Sequence, residues 1–219
     1  MRTEDFWHNS FYWITCMVVR WWLRLKYRLT VSGLENIPAS GGVIVAANHC
    51  SYLDPPVLAC VIPHRIVHFM ARDTLCATPL SRFFFTHVQV IPIDRERGDL
   101  SALRKAISTL KAGSAIAIFP EGTRSPDGEL KEAKGGIGFL IGKGSVPVVP
   151  MYIRGTFQAY PKGAKKFLPS RIQATIRKPI SPDEILSAMP EKGDYQAVGD
   201  LVMDRIRQLR DIPNPSGVE

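Results

Sequence analysis

The feature that most constrains the fold is an alternation of short apolar runs with amphipathic segments, which continues from residue 43 to residue 210. The apolar runs have the length of strands, and the segments between them carry apolar residues at helical spacing. This alternation predicts an α/β fold with a mixed, largely parallel central sheet flanked by helices. We predict strands at 43–47, 66–70, 88–93, 114–118, 147–153 and 171–177, and helices at 55–61, 79–86, 99–111, 136–142, 182–188 and 195–210.

The N-terminal segment differs from the rest because all four tryptophans lie in its first 22 residues. Residues 6–29 contain no Gly or Pro, and their uncharged stretch ends at Arg20, which is too short for a spanning helix. Helical spacing places an apolar face opposite an arginine face; the first comprises Phe11, Ile14, Val18, Trp22, Leu25 and Leu29, and the second Arg20, Arg24 and Arg28. Such a helix is typical of a membrane interface. The alternative is a helix that packs on its own domain or on a partner subunit.

The length of 219 residues fits one α/β domain with a small appendage. We therefore predict an N-terminal amphipathic membrane-association helix over 1–30, a main domain over 31–212 and a flexible tail over 213–219. The four cysteines include no C-x-x-C pair, and Arg65 stands between His64 and His68 where a zinc peptidase has Glu, so no metal is expected.

The net charge of +8 indicates an anionic partner. Basic residues without any acid occupy 151–182; they are Arg154, Lys162, Lys165, Lys166, Arg171, Arg177 and Lys178. This segment is either a solvated surface or a surface for phosphates, lipid headgroups or an acidic carrier protein. A nucleic-acid partner is not expected, because the aromatic residues cluster in the apolar helix rather than among the lysines and arginines.

Two polar motifs follow predicted strands, where α/β folds collect their ligands. In the first, His49 precedes Asp54 by five residues across a turn, so the carboxylate can orient the imidazole and leave its other nitrogen as a general base. The alternative is a structural histidine. In the second, Phe119 to Ser125 (FPEGTRS) offers an acid and an arginine at a strand end. The alternative here is a polar turn with a surface ion pair.

Three arginines are predicted to converge beside His49, because each follows a strand of the same sheet. They are Arg72, Arg95 and Arg124. Three guanidinium groups around a neutral base predict a site for an anion.

Taken together, N-H-x4-D, I-x-I-D-R, F-P-E-G-T-R-S and V-P-V-V-P resemble the motifs of the glycerolipid acyltransferases over about residues 30–180. The resemblance implies that His49 is the general base, that Asp54 orients it, and that Arg72, Arg95 and Arg124 bind the substrate phosphate. The pocket would be lined by Asn48, Glu121, Gly122 and Thr123, and Val146 to Pro150 would form the fourth motif near the acyl donor.

The resemblance also implies a reaction: an acyl group passes from acyl-CoA or acyl-carrier protein, used as co-substrates without a bound cofactor, to lysophosphatidic acid. An enzyme of this kind is expected on the cytoplasmic face of the inner (plasma) membrane, with the basic segment suiting an acidic donor. The alternatives are acylation of another lysophospholipid, glycerol-3-phosphate or an ornithine lipid, and a non-catalytic module that binds anionic lipid. Backbone N–H groups at the start of helix 55–61 or near Gly122 are candidate oxyanion donors.

Overall fold

A computed structural model describes residues 3–94, 100–189, 191 and 193–212, with side chains from residue 9 onward. Its helices are α1 (Thr3–Tyr27), α2 (Asp54–Val61), α3 (Pro79–His87), α4 (Leu100–Lys111), α5 (Gly135–Gly144), α6 (Thr156–Ala159), α7 (Pro182–Ser187) and α8 (Tyr195–Arg210). Its strands are β1 (Thr30–Ser32), β2 (Val43–Ala47), β3 (Val67–Arg72), β4 (Val90–Ile93), β5 (Ala115–Ile118), β6 (Val148–Arg154) and β7 (Gln173–Ile176).

The strands form one sheet in the order β1-β7-β6-β2-β5-β3-β4. All neighbouring pairs are parallel except β6 and β7, which are antiparallel. The predicted mixed, largely parallel sheet flanked by helices is confirmed. The central strands are short and fully buried because helices cover both faces of the sheet, which is why they read as continuous apolar runs.

Two apolar cores lie on the two faces of the sheet, since successive side chains of a strand point to opposite sides. In β2, Val43 and Val45 belong to the core that also contains residues of α1 and α2. Ile44 and Ala46 belong to the second core, with residues of α4, α5 and α8.

Short elements of the structure differ from the sequence prediction. Residues 30–32, for which no strand was predicted, form the edge strand β1, because they pair in parallel with β7. The four-residue helix α6 was also not predicted. Asp99, the first residue of the predicted helix 99–111, and the predicted tail 213–219 lie outside the described residues.

Helix α1 has two apolar sides rather than the one that was predicted. Its inner side packs on the domain through buried residues, namely Tyr12, Cys16, Leu23 and Tyr27. Its outer side is an exposed apolar stripe, defined by Ile14, Met17, Val18, Trp21 and Leu25. None of the described helices is long and apolar enough to cross a bilayer.

The predicted assignment of α1 residues to faces was therefore partly wrong. Phe11 and Trp22 pack against other parts of the chain instead of sharing the outer stripe. Arg20 turns inward and donates to the carbonyl oxygen of Cys60 at the end of α2. The helix also ends at Tyr27, because Arg28 adopts a left-handed φ of 48° and Leu29 N–H donates back to Leu23 O (3.4 Å).

Candidate active site

The two polar motifs meet because β2 and β5 are parallel neighbours whose carboxyl ends lie side by side. Ala46 of β2 is in register with Ile118 of β5. The turn from residue 48 to 54 follows β2, and the turn from 119 to 125 follows β5. The topology thus brings together residues that are about 70 positions apart in the chain.

His49 and Asp54 form a direct pair at the end of β2. Their Nδ1 and Oδ2 atoms are 2.9 Å apart, and Asp54 is fully buried whereas the His49 side chain is 16% exposed. The same Oδ2 accepts the backbone N–H groups of Cys50 and Ser51, each at 2.7 Å. A carboxylate that accepts from Nδ1–H leaves Nε2 of the imidazole as the free acceptor. The geometry is that of an oriented general base.

The ring of His49 is also held from the side. Phe119, at the end of β5, stacks on it with ring centroids 4.2 Å apart and an interplanar angle of 19°. The imidazole therefore has one defined plane as well as one defined tautomer. Phe119 is part of the second motif, but its contact with His49 was not predicted from the sequence.

Glu121 joins the second motif to the backbone of the first. Its Oε1 accepts the N–H of His49 (2.7 Å), and its Oε2 accepts the N–H of Lys131 (3.3 Å). In return, Ser125 N–H donates to His49 O (2.7 Å). Burial raises the pKa of Glu121 to about 7, with a further rise from the charge of Asp54, while the two backbone N–H groups oppose this rise.

Glu121 and Asn48 were predicted to line the substrate pocket, and the structure gives them a different position. Glu121 is 1% exposed and both its oxygens are bonded to backbone. Asn48 is 2% exposed; its Oδ1 accepts Ile153 N–H (2.7 Å), and its Nδ2 donates to Ile153 O (3.0 Å). The correction follows from hydrogen bonding: these buried polar groups fasten the turn to β6 and to the second motif.

Arg124 and Tyr52 form the open side of the site. The guanidinium carbon lies 3.4 Å from the Tyr52 ring centroid, which is a cation–π contact. The Nη1 atom of Arg124 is buried and has no hydrogen-bond partner among the described residues. Tyr52 is 57% exposed, so its ring forms a platform at the surface. No role was predicted for Tyr52, although it lies inside the His49–Asp54 turn.

The remaining predicted residues lie around this edge of the sheet. Gly122 has φ +67°, and a Cβ there would lie 2.9 Å from Lys134 Cγ, so the turn requires glycine. Thr123 is exposed. Arg72 is exposed at the end of β3, which β5 separates from β2. Arg95 lies outside the described residues, so only Arg124 is placed directly beside the His49 turn.

The start of α2 has few N–H groups left for an oxyanion. Pro55 and Pro56 have none. The N–H groups of Leu53, Asp54 and Val57 donate to Ser51 Oγ, Ser51 O and Leu53 O. Of the two candidate sources of oxyanion donors, this helix start therefore has little to offer.

The described residues contain no group of three His, Cys, Asp or Glu side chains placed to hold a metal ion. The chemistry available at the site is that of one oriented imidazole, one buried carboxylate and one guanidinium with an unused N–H group. This set can accept a proton from a hydroxyl and bind an anion nearby.

Several known proteins are similar to this chain in sequence or structure. The profile of the family described as Acyltransferase matches residues 28–154, which is more than half of the chain. A chloroplastic 1-acyl-sn-glycerol-3-phosphate acyltransferase of Arabidopsis thaliana is 31% identical over 158 residues, or 70% of this chain. A 1-acyl-sn-glycerol-3-phosphate acyltransferase of Bacillus subtilis is 29% identical over 189 residues, or 85% of this chain.

The relatives differ in length. The chain spans 44% of the Arabidopsis protein and 90% of the Bacillus protein. The crystal structure of the 1-acyl-sn-glycerophosphate acyltransferase from Thermotoga maritima is similar with a TM-score of 0.75 and 28% identity, and the match covers 98% of this chain and 86% of that one.

Proposed function

The chain belongs to the acyltransferase family, and we propose that it transfers a fatty acyl group from a thioester to the free hydroxyl of lysophosphatidic acid. The product is phosphatidic acid, an intermediate of phospholipid biosynthesis. The observation that carries the proposal is the His49–Asp54 pair, because a buried carboxylate 2.9 Å from Nδ1 leaves Nε2 to act as a base. The names of the Arabidopsis and Bacillus relatives support the choice of acceptor.

The proposed reaction is a direct attack in a ternary complex. Nε2 of His49 takes the proton of the acceptor hydroxyl as its oxygen bonds to the thioester carbonyl carbon. The tetrahedral intermediate collapses, the carbon–sulfur bond breaks, and the thiolate leaves with the proton that His49 carried. Asp54 stabilises the imidazolium during this interval. The hydrogen bonds from the N–H groups of Cys50 and Ser51 hold Oδ2 of Asp54 in place.

The phosphate of the acceptor is assigned to Arg124, with Arg72 and Arg95 as further contacts. Support for Arg124 comes from its buried Nη1, which lacks a partner among the described residues. An N–H group of this kind is costly unless a ligand satisfies it. The Tyr52 ring holds the guanidinium plane at 3.4 Å, so the fork is oriented before substrate arrives. Gly122 and Thr123 complete the pocket wall in this proposal.

The donor is acyl-CoA or acyl-carrier protein, which present the same thioester carbon to the base. We further assign residues 1–30 to membrane association, 31–212 to the catalytic domain, and the enzyme to the cytoplasmic face of the membrane that holds its lipid substrate. The exposed apolar stripe of α1 supports membrane association, because large apolar side chains there have no cover within the described chain.

The test is acyl transfer from labelled acyl-CoA and acyl-carrier protein to lysophosphatidic acid in detergent micelles. His49→Ala should abolish product formation, whereas the matched control His64→Ala, at an exposed site before β3, should keep it. Lysophosphatidylcholine, glycerol-3-phosphate and a lyso-ornithine lipid serve as competing acceptors. A folded protein that acylates none of them, or a fully active His49→Ala variant, contradicts the proposal.

A further inference from the structure

A short basic loop lies between α6 and β7 and has no role in the chemistry described above. We define the lysine loop as residues 161–170, with the sequence PKGAKKFLPS. Lys162, Lys165 and Lys166 are exposed, and none has an acidic partner among the described residues. Phe167 and Leu168 follow them and are 44% and 48% exposed. Cationic side chains beside exposed apolar side chains are suited to contact with a surface that has both anionic groups and an apolar layer.

The lysine loop packs against the C-terminal end of α1. The rings of Phe167 and Trp22 meet edge to face with centroids 5.6 Å apart. Lys26 Nζ lies 4.8 Å from the centroid of the Phe167 ring. Arg24, in the last turn of α1, and Arg28, directly after the helix, are also exposed. The three loop lysines and the three basic residues of 24–28 therefore belong to the two segments that meet at this junction. Neither residues 20–34 nor residues 155–172 contain an acid.

The position of the loop places it beside the exposed stripe of α1. Phe11 and Trp22 are eleven residues apart, which at ~100° per residue is three turns, so both lie on the same side of the helix. Phe11 contacts Phe83 and Phe84 of α3, which are themselves exposed. The lysine loop and α3 thus flank α1 along one side. The basic loop continues an apolar surface rather than standing apart from it.

The lysine loop is also tied to the turn that carries His49. Ser51 Oγ donates to Tyr160 O (2.7 Å), and Ser51 forms an isolated antiparallel bridge with Pro161. The Tyr160 ring lies 4.5 Å from Phe167 and 6.3 Å from Tyr52, measured between centroids. A ligand held by the loop is therefore close to the platform under Arg124.

We propose that the lysine loop is a second bilayer contact, which binds the headgroups of anionic phospholipids while the α1 stripe enters the apolar layer. The inference deepens the proposed function, because it names the lipid class that holds the site at the membrane. A bilayer is favoured over an acidic carrier protein because the lysines continue the exposed apolar stripe of α1 and carry Phe167 and Leu168 with them.

The experiment compares binding of the full chain to phosphatidylcholine vesicles and to equimolar phosphatidylcholine–phosphatidylglycerol vesicles. The test variant is Lys162→Gln/Lys165→Gln/Lys166→Gln. The control is Lys105→Gln/Lys111→Gln/Lys143→Gln, which removes the same charge from exposed positions of α4 and α5, under the other face of the sheet. The test variant should lose roughly 100-fold in affinity for the anionic vesicles only. The control variant should lose far less.

Three results would overturn the inference. The test variant could bind anionic vesicles like the wild type, the control variant could lose as much affinity, or the test variant could keep vesicle binding and show a raised KM for acyl-carrier protein alone. The last result would assign the loop to the donor instead. Vesicle binding needs no turnover, so an inactive wild-type chain would contradict the proposed function and leave this test intact.

Discussion

The protonation of Glu121 couples the geometry of the site to the stability of the fold. Its carboxyl group is 1% exposed, and its pKa rises from 4.5 to about 7 because burial disfavours the charged form. A group with a raised pKa in the folded state stabilises the fold below its ordinary pKa and loses that contribution as the pH rises through the folded value. At ~1.4 kcal/mol per pH unit, this rise corresponds to about 3 kcal/mol.

The perturbation is Glu121→Gln, which stays neutral at every pH. Gln keeps an oxygen for the N–H of His49 but loses the acceptor for the N–H of Lys131, so the variant is about 1 kcal/mol less stable than the wild type under acidic conditions. As the pH rises from 4.5 to above 7, the wild type loses the contribution of neutral Glu121 to stability, whereas the variant has no such contribution to lose. The difference between them should therefore shift by about 3 kcal/mol in favour of the variant.

The assay is urea unfolding of both proteins across this pH range, with the free energy of unfolding extrapolated to water. A raised pKa of Glu121 is refuted if the two pH profiles run parallel. It is also refuted if the wild type gains stability relative to the variant as the pH rises, since that would mean a carboxylate stabilised rather than penalised by its surroundings.

Asp54→Asn should keep the fold, measured by circular dichroism, and lower kcat/KM for acyl transfer roughly 10⁴-fold. The reason is that an amide can donate an N–H to Nδ1 of His49 and so favour the tautomer that is protonated on Nε2. Near-normal activity would contradict the role of Asp54 in orienting His49. Tyr52→Leu should raise the KM for lysophosphatidic acid about 3-fold to 30-fold, because the cation–π contact with Arg124 is lost. Tyr52→Phe keeps the ring and should have the KM of the wild type; a Tyr52→Leu variant with the wild-type KM would contradict a role for this contact. Gly122→Ala should lower the free energy of unfolding by more than the matched Gly163→Ala. Both glycines have a positive φ, but only at Gly122 would the new methyl group meet a neighbour, 2.9 Å away; equal losses would mean that Lys134 simply moves aside.

Most of the sheet could be predicted from the sequence, because a buried strand leaves a pattern in its own few residues. Each of the six predicted strands exists, with small changes at the ends, since buried parallel strands are continuous apolar runs that stand out beside amphipathic helices. The strand β1 could not be read in this way. It has three residues, two of them exposed, and its existence depends on pairing with β7 about 140 positions later.

The candidate site was predictable in its position but not in its internal arrangement. Residues that follow two strands of one parallel sheet share an edge, and this is enough to bring His49 and Glu121 into one region. The order of strands is a long-range property, and only the insertion of β5 beside β2 makes the two turns direct neighbours. Whether Glu121 points at substrate or at the backbone of His49 depends on that contact, which no local pattern encodes.

The faces of helix α1 could not be predicted from a single apolar stripe, because the helix has apolar residues on both its inner and its outer side. The single apolar face that was predicted contained Ile14 and Val18, which are exposed, together with Trp22, which packs against the lysine loop. Arginine was assigned to the water-facing side, yet Arg20 donates to the last turn of α2, where carbonyl groups lack helical partners.

Helix α1 buries one side in its own domain and exposes large apolar residues on the other, and this exposure is unfavourable in water. Trp21 and Met17 are 65% and 64% exposed on the outer side, while Leu23 and Tyr27 on the inner side are completely buried. Packing on the domain and contact with a bilayer, treated as alternatives at the level of sequence, are therefore compatible. The inner side fixes the helix to the fold. In the proposed membrane contact, the outer stripe and the lysine loop together set the height at which His49 meets the lipid surface.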